Sequence, residues 1–123
     1  MTLSSFEKIL DDMNKQGGFS ASVLAGDDGL PIAAAPQPSP YDADTIAAMV
    51  IMVKGFIKDT QTRLKLAEVD EVAIMVGDRS RLVCRYFVAG ERGFVLTTIT
   101  QPHQTYRRLM TLAMRQIQAE FHV

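Results

Sequence analysis

The chain has 123 residues, which is enough for one domain with a real core and too few for two. We therefore expect a single domain over residues 1–123. Thirteen basic and fourteen acidic side chains leave a net charge of −1, so no overall field attracts the chain to nucleic acid or to a membrane surface. The single cysteine, Cys84, excludes an internal disulfide and is typical of a protein in the reducing cytoplasm.

The sequence also predicts a soluble protein. Glu7 and Lys8 lie within the amphipathic pattern at the start of the chain, where a signal peptide would have an uncharged apolar region. The longest strongly apolar run, Ile46 to Val53, is far shorter than the about 20 residues that span a bilayer. We therefore expect no membrane insertion and a cytoplasmic location.

The first segment predicts a helix. Apolar residues recur at every third or fourth position from Leu3 to Met13. Ser4 and Glu7 form a capping box of the kind that opens helices. Gly17 and Gly18 supply the positive φ with which helices commonly end, so we expect the helix to end there.

The next segment predicts a β-hairpin at the edge of a sheet. Phe19 to Gly26 and Leu30 to Ala35 are β-prone, and the residues from Asp27 to Gly29 between them form a turn signal. Pro31 lacks the N–H that a central strand would donate, so the second strand should lie at an edge. The prolines from Pro36 to Pro40 then form an extended linker.

The longest helical pattern runs from Asp42 to Leu66, and it carries more apolar surface than one small core can cover. Asp42 or Asp44 should cap its N-terminus. One apolar stripe should pack on a sheet; it contains Ile46, Val50, Val53, Ile57 and Leu64. A second apolar stripe contains Ala48, Met52, Gly55 and Phe56. A third stripe is basic and contains Lys54, Lys58 and Lys65, extended by Arg63.

The second apolar stripe should be buried from solvent by some other surface. A domain of this size buries only about two thirds of its unfolded surface. We interpret the stripe as part of a homodimer interface, because the small residues Ala48 and Gly55 would let a second helix approach Met52 and Phe56 closely. The alternative is that another layer of the same chain covers it.

Three strand patterns and a helix complete the chain. The strands, Asp70 to Val76, Arg81 to Val88 and Gly93 to Thr100, are joined by hairpin-length turns and predict an antiparallel meander. Pro102 begins a final segment in which an apolar stripe, from Tyr106 to Ile117, predicts a third helix.

The third strand is apolar on both faces. Val72, Ile74 and Val76 face one way, and Ala73 and Met75 face the other. We therefore expect helices on both sides of one antiparallel sheet, with this strand at the edge opposite the second strand. Because an exposed apolar edge invites pairing with another copy, Val72, Ile74 and Met75 belong to the predicted dimer interface.

The hairpin and the order of the elements resemble a known family. The segment from Ala21 to Ala33, ASVLAGDDGLPIA, is similar to the apolar strand, acidic-glycine turn and Gly-Leu-Pro strand of the roadblock/dynein light chain family, in particular of bacterial members such as the mutual gliding protein B. The alanine-rich second helix, the valine-rich third strand and the strand from Phe94 to Thr97 extend the likeness over nearly the whole chain.

The resemblance implies both a fold and a function. The implied fold is an α/β sandwich, roadblock-like and profilin-like, with a five-stranded antiparallel sheet in the order 2-1-5-4-3. The second helix lies on one face and the first and third helices on the other. The resemblance also implies a homodimer in which second helices pack together and third strands meet across a two-fold axis. Bacterial members bind a small Ras-like GTPase and influence its nucleotide cycle.

No catalytic, metal or cofactor site is predicted. A cysteine at the centre of a strand is usually packed, so pairing of Cys84 with His103 or His122 as a catalytic thiol and imidazole is disfavoured. Asp27 and Asp28 lack the alternating acidic spacing of a calcium loop. No Gly-rich loop ends in Lys-Ser or Lys-Thr, so the chain itself should not hydrolyse a nucleotide. We expect a protein that is not an enzyme.

Three functions remain open. The leading hypothesis is a homodimeric regulator or adaptor that binds a small Ras-like GTPase and modulates its nucleotide cycle, either as a GTPase activator acting on its partner or as a co-regulator. The basic stripe, Lys54, Lys58, Arg63 and Lys65, would then meet an acidic surface of the GTPase, although such a stripe is more often a solvated face. The second is a scaffold subunit without effect on GTP hydrolysis. The third is a profilin-like or PAS-like sensor, which needs a cavity of a few hundred Å³ lined by convergent polar groups.

A second basic patch lies on the third helix, at Arg107, Arg108 and Arg115. It has no interleaved aromatic residues, and the domain as a whole is not positive. We therefore predict no nucleic-acid binding.

Overall fold

The computed structural model of the chain describes residues 3–121, with side chains from residue 5 onwards. The predicted capping box at Ser4 therefore lies outside the described side chains. Every predicted helix and strand is present, with ends that differ from the prediction by one or two residues. In chain order the elements are α1 (Leu3–Gly17), β1 (Ala21–Gly26), β2 (Pro31–Ala35), α2 (Ala43–Leu64), β3 (Glu71–Met75), β4 (Arg81–Ala89), β5 (Arg92–Thr100) and α3 (Arg107–Ala119).

The strands form one five-stranded antiparallel sheet in the order β2-β1-β5-β4-β3. This order confirms the prediction. β2, which begins at Pro31, pairs with β1 alone, and β3 pairs with β4 alone, so these two strands are the edges of the sheet. The long β4–β5 hairpin and β1 form its centre.

The larger core lies between the sheet and the pair α1 and α3. The helices contribute residues at helical spacing, and the strands contribute alternate residues, because successive side chains of a strand point to opposite faces. Burying each large apolar side chain here contributes roughly 1.5–3 kcal/mol. The members of this core include Phe6, Leu10, Leu24, Val83, Phe94, Leu96, Met110 and Ile117.

A smaller core lies on the other face, under α2. Ile46 and Val50 of α2 pack there on Val23, Cys84 and Val95 of the sheet. The predicted sandwich, with α2 on one face and α1 and α3 on the other, is confirmed.

Local signals fix the ends of several elements as predicted. Gly18, just after α1, has a φ of 67°, and Gly29 in the β1–β2 turn has a φ of 81°. Asp42 caps α2 by accepting hydrogen bonds from the Asp44 N–H at 3.2 Å and the Thr45 hydroxyl at 2.7 Å. The bond from Thr45 is the main reason why the pKa of Asp42 is lowered.

The predicted core stripe of α2 was wrong at its C-terminal end. Ile46 and Val50 are buried and Ile57 is half-buried, but Leu64 is 64% exposed. The last turns of α2 lie against the connection to β3, where the Gln61 side chain accepts a hydrogen bond from the Val69 N–H at 2.9 Å. Leu64 therefore lies beyond the sheet that was expected to cover it.

Candidate partner-binding surface

The second apolar stripe of α2 is open to solvent. Met52 is 76% and Phe56 is 72% exposed, and Ala48 and Gly55 are exposed as well. A β-carbon at Gly55 would meet no other atom within 4 Å. No element of residues 3–121 therefore covers this stripe, which we call the α2 flank (Ala48, Met52, Gly55 and Phe56).

The outer edge of β3 is apolar on both faces. Val72 lies opposite Cys84 and Ile74 lies opposite Leu82 in the register with β4. Directly opposite residues share a face, so Val72 and Ile74 lie on the α2 side of the sheet and Met75 lies on the other side. Val72 is half-buried, whereas Ile74 is 43% and Met75 is 55% exposed.

A small recess connects the α2 flank with the start of β3. Phe56 and Ile57 of α2 line it together with Leu66 and Val69 of the connection to β3, and its volume is about 140 Å³. Phe56 of the α2 flank therefore lies next to the connection that leads into β3.

Two of the predicted basic residues line a larger groove on the other flank of α2. Lys54 and Lys58 form one wall of this lysine groove, Tyr86, Phe87 and Val88 of β4 form another, and the volume is about 390 Å³. The Lys54 Nζ lies 6.0 Å from the centroid of the Tyr86 ring, an arrangement that favours a cation. The acidic residues Glu68 and Asp70 also line the groove.

Tyr86 holds α2 against β4 at this groove. Its hydroxyl donates a long hydrogen bond, 3.4 Å, to the carbonyl oxygen of Val50. Burial raises the pKa of Tyr86 to about 12 because the charged phenolate is poorly solvated there. Sequence reasoning did not find the groove, because it depends on a contact between residues 36 positions apart.

The other two predicted basic residues lie elsewhere. The Arg63 Nε lies 3.1 Å from the Asp59 carboxylate, and both side chains are exposed. Arg63 follows Phe56 by two helical turns, so it lies on the side of the α2 flank. Lys65 has a φ of 56° and forms the C-cap of α2. The basic stripe is thus divided, and only Lys54 and Lys58 line the lysine groove.

Cys84 lies in the core under α2. It is buried, and the Thr97 hydroxyl is 3.6 Å from its sulfur. Burial raises the pKa of the thiol, which reduces the fraction present as the nucleophilic thiolate. His103 is exposed in the turn before α3, and His122 lies outside the described residues. This environment fits a packed cysteine.

Two further findings bear on the surface chemistry. No group of three or more His, Cys, Asp or Glu side chains that could hold a metal ion occurs within residues 3–121. Across the same residues, no helix combines the length and apolar character needed to cross a membrane.

Comparison with solved structures identifies the fold. No family model matches the sequence, and no curated protein matches it. MglB from Myxococcus xanthus is similar with a TM-score of 0.82 and 16% identity, over 97% of this chain and 89% of that chain. A roadblock/LC7 domain from Streptomyces avermitilis is similar with a TM-score of 0.73 and 15% identity, over 92% of both chains.

The chain has a roadblock fold. A further solved structure, described as MglB with tetrameric arrangement, has a TM-score of 0.69 and 16% identity, over 97% of this chain and 86% of that chain. At these identities the likeness shows the fold. The roadblock fold of this chain leaves the α2 flank and the edge of β3 uncovered, and these two features carry the functional argument.

Proposed function

We propose that this chain, as one roadblock-type domain over residues 1–123, is a homodimeric regulator or adaptor that binds a small Ras-like GTPase in the cytoplasm and modulates its nucleotide cycle. The observation that carries the proposal is that the α2 flank and the apolar edge of β3 are both uncovered. The likeness to MglB structures, one of them described as tetrameric, supports self-association and a regulatory role.

A second copy related by a two-fold axis beside β3 would cover both the α2 flank and the edge of β3. Two β3 strands would pair antiparallel and continue the sheet, and the α2 flank of each copy would cover that of the other. Ile74 lies on the α2 side of β3, so it would enter the same interface as Phe56. Gly55 leaves room for close approach of the second helix.

The energetics favour an interface that uses both elements. Met52 and Phe56 from two copies are four large side chains, and burying each contributes roughly 1.5–3 kcal/mol. The sum of roughly 6–12 kcal/mol is similar to the about 4–15 kcal/mol that association costs in lost freedom of motion. The two α2 flanks alone would therefore form a weak dimer, and pairing of the β3 edges would supply the surplus.

The lysine groove is the proposed contact for the GTPase. Lys54 and Lys58 would meet acidic side chains of the partner, which speeds encounter and fixes orientation. The apolar wall at Tyr86 and Val88 would take an apolar side chain of the same partner. Such a dimer would act by holding the switch loops of the GTPase in one conformation, which requires shape complementarity and no donated catalytic residue.

The test is the GTP hydrolysis rate of a Ras-like GTPase from the same cell, measured with and without this chain. We expect the rate to change with the wild type and to return towards the basal value with Lys54→Glu/Lys58→Glu. Arg108→Glu/Arg115→Glu, on α3, is the control with the same change of charge. Binding without any change of rate would support the scaffold alternative. A small molecule retained in the lysine groove after purification would support the sensor alternative.

A further inference from the structure

We propose that the face of the sheet opposite α2 carries a second interaction surface, which binds an acidic segment of a protein partner. We call it the arginine surface. Its members are Arg79, Arg81, Arg85 and Arg107, with Met75 beside them. The inference does not rest on the proposed function, because the four arginines lie outside the predicted dimer interface, which shares only Met75 with this surface.

Two of the arginines share one carboxylate. The Arg85 Nε lies 3.5 Å from Glu71 Oε1, and the Arg107 Nη2 lies 3.2 Å from Glu71 Oε2. Arg85 also donates from Nη1 to the Arg107 carbonyl oxygen at 3.1 Å and to the Thr111 hydroxyl at 2.7 Å. Glu71 can balance only one of these two positive charges.

The other two arginines are connected to the same group. The guanidinium carbons of Arg81 and Arg107 lie 5.2 and 5.7 Å from the centroid of the Tyr106 ring. Arg79 Nη1 lies 3.2 Å from the sulfur of Met75, and Met75 lies opposite Arg81 in the β3–β4 register. Four arginines therefore lie together on one face.

The charge of this face differs from that of the chain. Within residues 3–121, Glu71 is the carboxylate that forms ion pairs with these arginines, and Asp78 is a second carboxylate in the adjoining β3–β4 turn. Asp78 already accepts hydrogen bonds from the N–H and hydroxyl of Ser80. The face keeps an excess of positive charge even when both carboxylates are counted, whereas the whole chain has a net charge of −1.

Helix stability does not explain why arginines stand here. Arg107 and Arg108 occupy the first turn of α3, which contains no acidic residue, and the N-cap residue Tyr106 makes no capping hydrogen bond through its side chain. A cation at a helix N-terminus opposes the helix dipole, and acidic residues are the ones that stabilise this end. Glu71 offsets this for Arg107 alone.

The chemistry of the surface favours an acidic protein segment over other anions. The planar guanidinium forks of the exposed Arg79 and Arg107 can match carboxylates in parallel hydrogen bonds. Met75 is exposed beside the arginines and would contact an apolar side chain between the carboxylates of the partner. A nucleic acid would need exposed aromatic rings on which bases stack, but Tyr106 is buried.

The test uses nuclear magnetic resonance on the ¹⁵N-labelled full chain. The probe is a short peptide in which glutamate alternates with leucine. We expect the largest shifts at the Nε–Hε signals of the exposed Arg79 and Arg107 and at the backbone amides of the β3–β4 turn and of the first turn of α3. Arg79→Gln/Arg107→Gln should weaken binding roughly fivefold, since it removes two exposed charged donors and leaves the buried ones in place.

The matched control is Lys54→Gln/Lys58→Gln, which removes the same charge from the opposite face and should keep the peptide affinity. Equal loss of affinity in both double variants would overturn the proposal. So would the absence of shifts at millimolar peptide, or shifts confined to the lysine groove. Tighter binding of a single-stranded oligonucleotide or of phosphatidylserine vesicles, lost in the arginine variant, would assign the surface to that anion and contradict the proposal.

Discussion

The hydroxyl of Tyr106 donates a hydrogen bond of 3.0 Å to Oε2 of Glu71, and this bond joins the start of α3 to the edge strand β3. The Glu71 side chain is only 17% exposed, and it also pairs with Arg85 and Arg107. β3 pairs with a neighbouring strand on one side only. The contacts of Glu71 therefore attach β3 to α3 in addition to its pairing with β4. The strand at which we propose that two copies pair is thus held by side-chain contacts on the α3 side of the sheet.

Removing this bond should weaken the fold. We expect Tyr106→Phe to lower the free energy of unfolding by about 1.5–3 kcal/mol, the range for hydrogen bonds to charged groups. Glu71→Ala should cost at least as much, because it leaves the half-buried Arg85 without its carboxylate. Urea denaturation measures both. Tyr41→Phe, at an exposed tyrosine, is the control and should be nearly neutral; an equal loss in this control would contradict the role of Glu71.

Tyr86 should make stability depend on pH in the alkaline range. Burial raises its pKa from 10.0 to about 12 in the folded chain, so the folded state keeps a proton that the unfolded state releases. The stabilisation is complete below pH 10 and is lost as the pH rises from 10 towards 12. The difference in unfolding free energy between wild type and Tyr86→Phe should therefore change over this range. A difference that stays constant would show that Tyr86 is not buried against α2.

A substitution at Gly55 should have opposite effects on the stability of the monomer and on the affinity of the dimer. Gly55→Ala should stabilise the monomer by roughly 0.5–1 kcal/mol, because glycine is unfavourable inside a helix and the new β-carbon meets no atom of the same chain. The same methyl group should weaken the dimer by separating the two α2 helices. Analytical ultracentrifugation measures the change in dimer affinity. Denaturation of Gly55→Ala in a Phe56→Asp background measures the change in monomer stability. Unchanged dimerisation would place the interface away from Gly55.

Local and periodic signals predicted much of the fold. The turn from Asp27 to Gly29, the φ of Gly18 and the Asp42 cap depend on residues close together in sequence, and all three are present in the structure. The exposed side chains of Met52 and Phe56 follow from the period of α2. The order of the strands came from the resemblance, which a sequence pattern alone would not have supplied.

The features that were not predicted all depend on distant residues. Leu64 satisfies the helical period, but the period does not say where the sheet ends beneath α2. The lysine groove requires Tyr86 to reach Val50, and the arginine surface requires Glu71 to reach Tyr106, 35 positions away. The sequence showed Arg107 as part of a basic patch on α3, whereas the structure groups it with arginines of β4 and of the preceding turn.

The central claim is that a second copy of the chain covers the α2 flank, and light scattering coupled to gel filtration tests it most directly. We predict twice the mass of the 13.6 kDa chain for the wild type at tens of micromolar, and the mass of one chain for Phe56→Asp. Leu112→Asp, an equally charged change at an exposed leucine of α3, should remain a dimer. A wild type that has the mass of one chain at this concentration, or a Phe56→Asp variant that remains dimeric, would contradict the account.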